Sequence, residues 1–185
     1  PVVISAALFR PGVKTRGLEW VIRTCAGLAK QGMDLHLALA GDGPERGALE
    51  ALAAREFQGM EQRYLFLGLQ KRFDLYRVYS AGDLFLFPGI NEGLGMVYLE
   101  AQCAGLPVVA FDHDGAPEVV AHEKTGLITP SFDKQAFSQA TAKILTDTGL
   151  RRAMSNAAQQ HVLERHDLHT NYAAMLEKIR QVSGT

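Results

Sequence analysis

Glu92 and Glu100 stand eight positions apart, and between them lie the turn Gly93-Leu94-Gly95 and a helix-like run. Upstream, residues 83–88 (DLFLFP) read as an apolar strand. A strand, a glycine-rich turn and a helix together leave backbone N–H groups free at the helix start, where an anion can sit. The glycines let the backbone come close to that anion. If the helix begins near Leu94, Glu100 lies about 8–9 Å along its axis while Glu92 stays in the turn ahead of it. Carboxylates accept hydrogen bonds from sugar hydroxyls. A pyrophosphate at the helix tip would then have an acceptor on each side. That arrangement suits a nucleoside diphosphate sugar, with ribose on one side of its phosphates and a transferable hexose on the other. Two glutamates taken alone read equally as solvated surface groups, because most glutamates are exposed.

The elements that would position these residues alternate along the chain. Strands are expected over residues 2–8, 34–40, 64–67, 84–87, 108–111 and 127–128. Helices are expected over 17–31, from Pro44 to about 57, and over 72–80, 94–104, 116–121, 133–146, 150–166 and 171–182. Leu18, Val21, Ile22, Cys25 and Leu28 make one apolar helix face. Strand–helix alternation points to a parallel sheet with helices on both faces, and runs such as 84–87 are apolar throughout, as buried parallel strands are. The fold class is therefore α/β, a Rossmann-like three-layer sandwich with six parallel strands, in one domain spanning 1–185. In such sheets ligands bind outside the carboxyl ends of the strands. Residues 41–43, 68, 89–95 and 112–115 all fall at those ends and are expected to line one crevice.

Composition narrows the function classes. The 185 residues are 47% hydrophobic and 21% charged, with a net charge of −1. This is a globular profile with no electrostatic footprint for nucleic acid. No apolar run reaches the length of a membrane span and no signal peptide is visible. The chain opens on Pro1 and enters a strand at once, which reads as a piece of a longer chain. Cys25 and Cys103 lie 78 positions apart with no CxxC spacing, so neither a zinc site nor a disulfide framework is indicated, and both read as small buried residues.

These residues resemble the C-terminal, nucleotide-sugar-binding domain of the retaining GT-B glycosyltransferases, the group called group 1 or family 4. The resemblance rests on Phe87-Pro88, Glu92-Gly93-Leu94-Gly95, Leu99-Glu100-Ala101, Gly105 and Pro107-Val108-Val109-Ala110. It continues through Gly115-Ala116-Pro117-Glu118-Val119-Val120, Thr125-Gly126-Leu127 and Pro130, and covers about residues 3–176. It implies that Glu92 meets the donor hexose hydroxyls and Glu100 the ribose, with the amides around Gly93, Leu94 and Gly95 on the phosphates. The family's arginine, followed some six positions later by Lys-Gly, corresponds to Arg10 and Arg16-Gly17. Lys14 sits two positions before Arg16, and either side chain could join Arg10 on the diphosphate, offsetting charge on the departing nucleoside diphosphate. Gly68 and Leu69, at the end of the third strand, correspond to the backbone that holds the nucleobase.

By this resemblance the intact enzyme transfers a hexosyl group from a nucleoside diphosphate sugar to a hydroxyl acceptor, without metal or other cofactor. The acceptor (glycan, lipid or small molecule) would bind an N-terminal domain absent from this chain. The full-length protein would be cytoplasmic, peripheral at the inner membrane face, and this piece alone would be inactive. A non-catalytic nucleotide- or glycan-binding module and a related GT-B epimerase are the alternatives. A phosphorylase finds no motif around Lys71, Lys124 or Lys134. An NAD-binding half finds no fingerprint, since after Gly41 and Gly43 the third glycine, at 47, is misplaced and no ribose-binding acid stands out about twenty residues on. The chain departs from the family pattern in two places of structural interest. Gly89 replaces a frequent serine, an exchange that reads as neutral, and Asp114 replaces the first glycine of a Gly-Gly pair, where left-handed backbone disfavours a side chain. Trp20 reads as core or interface, and His161, His166 and His169 as surface helix histidines, since their spacing does not place all three on one face.

Overall fold

A strand with no polar side to offer water must lie inside a sheet that is covered on both faces. Leu84, Phe85, Leu86 and residues 108–111 are such segments, each at 0% exposure. The computed structural model describes residues 1–183, so the last two residues of the 1–185 span lie outside the described residues. Six strands, β1 (Val2–Ala6), β2 (His36–Ala40), β3 (Tyr64–Gly68), β4 (Leu84–Leu86), β5 (Val108–Phe111) and β6 (Gly126–Thr129), form one sheet in the order β3-β2-β1-β4-β5-β6. Every neighbouring pair is parallel. The helices are α1 (Val13–Lys30), α2 (Arg46–Glu56), α3 (Arg72–Ser80), α4 (Met96–Cys103), α5 (Ala116–Val119), α6 (Lys134–Thr146), α7 (Thr148–Arg165) and α8 (Leu168–Ser183). α1 packs against α2 and α6, and α4 packs against α3, α5 and α7, so both faces of the sheet are covered. No described helix is long and apolar enough to cross a membrane.

The core is aromatic on both sides of the sheet. Trp20 meets the rings of Phe111 and Phe137 edge-on, at centroid distances of 5.1 and 6.3 Å. On the α4 side, Tyr79, Phe85 and Tyr98 stack edge to face at 5.7 and 6.0 Å. Such pairs add about 0.5–1.5 kcal/mol each beyond the area they bury.

Several element boundaries differ from the sequence expectation. α1 begins at Val13 rather than 17, because the residues before it supply their own start. Gly12 takes φ +99°, the Arg16 N–H reaches the Gly12 carbonyl at 3.1 Å, and the Thr15 hydroxyl donates to the Arg10 carbonyl at 2.6 Å. α2 begins at Arg46, two residues after Pro44, since residues 43–45 form a turn. α4 begins at Met96, not 94, so Glu100 sits about 6 Å along its axis, one turn in. Only one of the two cysteines is interior: Cys25 is buried, whereas Cys103 is exposed in the last turn of α4.

Gly89 is not a neutral replacement. Its φ is +76°, and a Cβ placed there would collide with the hydroxyl of Tyr98. That hydroxyl cannot readily move, because Tyr98 is fully buried and donates to the Phe87 carbonyl at 3.2 Å. Gly89→Ser combines left-handed strain with overpacking and is expected to lower stability by about 2 kcal/mol or more. An unchanged urea-unfolding midpoint would mean that the Tyr98 ring yields instead.

Candidate functional site

The sheet order reverses direction between β1 and β4: β2 lies on one side of this pair and β5 on the other. At such a point the loops leaving the strands diverge and open a crevice. A cavity of about 460 Å³ lies there. The chain leaving β1 contributes Ala7, Leu8 and Arg10, and α1 contributes Lys14. Gly41 comes from the end of β2, and Leu69 and Gln70 follow β3. Glu92, Met96, Val97 and Glu100 line the α4 side, and Leu75, Tyr79 and Phe87 complete the wall.

The start of α4 is built to leave its amides open. Gly95 caps the helix with φ +65°, and no side chain caps it. Among the described residues, none of the N–H groups of residues 93–97 finds an acceptor in the protein. Successive unpaired amides with the positive end of a helix dipole behind them can receive an anion. The loop after β5 braces this turn from behind rather than lining the crevice, which corrects the expectation for residues 112–115. The Gly115 N–H donates to the Glu92 carbonyl at 3.0 Å, and a Cβ on Gly115 would lie 2.6 Å from the Gly93 carbonyl oxygen. Asp114, in that loop, adopts the left-handed conformation (φ +47°) that glycine would take more easily.

Charge in the crevice is paired across it. The Lys14 ammonium hydrogen-bonds the Glu92 carboxylate, and it lies 5.7 Å from the centroid of the Phe87 ring. Their side chains are 33% and 16% exposed, so the pair is only partly screened by water. Arg16 does not join it. Residues two apart on a helix do not share a face, and Arg16 lines a separate pocket of about 260 Å³ with Glu19, Trp20, Arg23, Thr24 and Lys134. Arg10 and Lys14 are thus the basic side chains of the crevice and Arg16 is not. Glu100 is exposed, and its Oε2 accepts from the Tyr79 hydroxyl at 3.4 Å. Burial, and then the neighbouring Glu100 charge, push the Tyr79 phenol well above its usual ionisation range, so it remains a donor. Burial does the same to Tyr98, with a smaller push from Glu92.

Of the other residues singled out in the sequence, Leu69 lines the cavity, whereas Gly68, Gly93, Leu94 and Gly95 do not. The Leu94 side chain is 77% exposed, and the three turn residues bear on the site only through their peptide groups. Gln70, which follows Leu69 in the segment expected to hold the nucleobase, also lines the cavity, whereas Leu75, Tyr79, Met96 and Val97 were not anticipated. Their presence depends on how α3 and α4 rest on the sheet, and the sequence carries no motif for it.

The chain matches the family model for glycosyl transferases group 1 over residues 10–161. It belongs to that family. The GDP-mannose-dependent alpha-(1-6)-phosphatidylinositol monomannoside mannosyltransferase of Mycolicibacterium smegmatis is 31% identical over 184 residues, covering 96% of this chain and 47% of its own length. Among solved structures, sucrose-phosphate synthase from Thermosynechococcus elongatus superposes with a TM-score of 0.82 at 25% identity, over 100% of this chain and 46% of that one. Anabaena Alr3699/HepE, solved in complex with UDP and glucose, superposes with a TM-score of 0.79 at 26% identity, over 96% and 47%. The glycosyltransferase domain thus has the α/β, Rossmann-like architecture of its GT-B neighbours. It spans less than half the length of each of these relatives.

The separation of Lys14 from Arg16 has a measurable consequence. Lys14→Ala removes a cation from the crevice and leaves the Glu92 carboxylate unopposed, so pyrophosphate binding by the glycosyltransferase domain is expected to weaken about tenfold (about 1.4 kcal/mol). Arg16→Ala is expected to change it less than about twofold, as for a surface charge remote from the ligand. Calorimetric titration of both variants checks this, and equal losses would place Arg16 at the anion.

Proposed function

We propose that this domain holds the donor of a retaining glycosyltransferase that moves a hexosyl group from a nucleoside diphosphate sugar to a hydroxyl acceptor. One observation carries the reading: the cations Arg10 and Lys14 and the carboxylates Glu92 and Glu100 line a single crevice together with Met96 and Val97, the first residues of α4, whose N–H groups have no acceptor among the described residues. UDP in the related Anabaena structure supports the same ligand class.

In this reading the diphosphate lies against the start of α4. Its charge grows as the bond to the sugar breaks, and Arg10, Lys14 and the amides oppose that charge where it develops, so the transfer needs no divalent metal. The Lys14–Glu92 pair is the resting arrangement. An arriving phosphate draws the ammonium toward itself and frees Glu92 to accept hydroxyl hydrogens from the hexose. Glu100, one turn further along α4, accepts from the ribose. Leu69 and the backbone beyond Gly68 receive the base. The acceptor, a glycan, lipid or small molecule, binds a second domain carried by a longer chain, which works in the cytoplasm at the inner membrane face. The 1–185 domain alone binds nucleotide and transfers nothing.

Isothermal titration with UDP, GDP and ADP tests the reading, and at least one is expected to bind at millimolar concentration or below. Glu100→Ala is expected to cost more affinity than Glu92→Ala, because a nucleoside diphosphate contains the ribose and lacks the hexose. Absence of heat with all three nucleotides, or the opposite ranking, would contradict the assignment.

A further inference from the structure

Glu100 is a long, exposed side chain, yet the donor reading asks it to present a carboxylate at one fixed place. An unrestrained glutamate would lose rotamer freedom on engaging a ligand. The crevice contains one group that can supply the restraint beforehand. Tyr79 is 1% exposed, its ring meets Phe85 edge-on at 5.7 Å, and its hydroxyl reaches Glu100 Oε2 at 3.4 Å. The residue is both part of the core and part of the cavity wall, and its hydroxyl is the group that meets Glu100.

We infer that Tyr79 is a positioning residue, which ties the Glu100 carboxylate to the core and aims its remaining lone pairs at the ribose hydroxyls of the donor. This rests on the donor reading and adds to it a second residue, on α3, that acts only through Glu100. The chemistry requires no proton transfer. The phenol donates to Oε2, which keeps a second lone pair, and Oε1 stays wholly available. At 3.4 Å the contact is long for an O–H···O bond, so what it contributes is a bias on the Glu100 rotamer rather than a clamp. Because the anchor is a packed aromatic rather than a surface side chain, the restraint is present before ligand arrives.

The test is a double-mutant cycle read by calorimetry, using whichever of UDP, GDP and ADP the domain binds, together with its 2′-deoxy counterpart. Tyr79→Phe keeps the ring and removes only the hydroxyl. With Glu100 present it is expected to weaken the ribonucleotide about three- to tenfold, and to weaken the 2′-deoxy counterpart by a smaller factor. On a Glu100→Ala background it is expected to change neither. Thermal midpoints recorded on the same samples separate positioning from folding. Equal losses on both backgrounds, or equal losses for the two nucleotides, would make Tyr79 merely structural and overturn the inference. So would no loss from Tyr79→Phe where Glu100→Ala weakens binding, an outcome that leaves the donor reading standing. No loss from Glu100→Ala itself would remove the ribose contact and both ideas with it. Should Tyr79→Phe fail to fold, a crystal structure of the ligand-free domain decides the matter. One ordered Glu100 rotamer on the Tyr79 hydroxyl supports the inference, and a disordered or turned-away Glu100 rejects it.

Discussion

Five consecutive peptide N–H groups, those of residues 93–97, have no acceptor within the described protein, and the surrounding fold keeps them in that state. The first N–H groups of any helix lack an intrahelical partner and are met by a capping side chain, by water or by a ligand. The chain could have closed this helix start with a Ser, Thr, Asn or Asp side chain, but the capping position is Gly95. β4 delivers the chain to the turn, and Gly115 closes from behind against the Glu92 and Gly93 carbonyls, so the N–H groups remain for a ligand. The buried Tyr98 hydroxyl holds the Phe87 carbonyl just upstream and leaves Gly89 no room for a side chain. The glycines at 89, 95 and 115 thus answer to geometry around one anion site.

Electrostatics around that tip are arranged in two layers. The amides and the α4 dipole are permanent, since no side-chain movement is needed to present them. The Lys14–Glu92 pair is adjustable, because both are side chains, each partly open to solvent, and each neutralises the other. The crevice's four charged side chains, Arg10, Lys14, Glu92 and Glu100, balance one another, so it is close to neutral like the chain as a whole. The hydroxyl of Tyr79 extends the permanent layer to Glu100, since a core aromatic holds an otherwise mobile acid.

Much of this was legible in the amino-acid order, for physical reasons. Strand–helix alternation and fully apolar strands dictate a buried parallel sheet, and all six strands formed where expected to within a few residues. The Glu92–Glu100 spacing and its glycines pointed to the crevice because they act through local backbone geometry. What stayed hidden depended on packing at a distance. Lys14 and Arg16 could not be told apart until the start of α1 was known, and that start depends on the Thr15 bond to the Arg10 carbonyl. The demand for glycine at 89 comes from Tyr98, nine positions away. Tyr79 enters the site because of how α3 lies on the sheet, and nothing in residues 72–80 marks its hydroxyl as functional. Cys103 is exposed as the last residue of α4, at a helix end that the sequence placed one residue later.

The most direct measurement is a crystal structure of the domain soaked with UDP-glucose or GDP-mannose. The account predicts phosphate oxygens within hydrogen-bond distance of the amides of residues 93–97, the ribose on Glu100 and the hexose toward Glu92, with Lys14 drawn to the diphosphate. A nucleotide bound elsewhere, or one whose phosphates leave those amides unengaged, would contradict it.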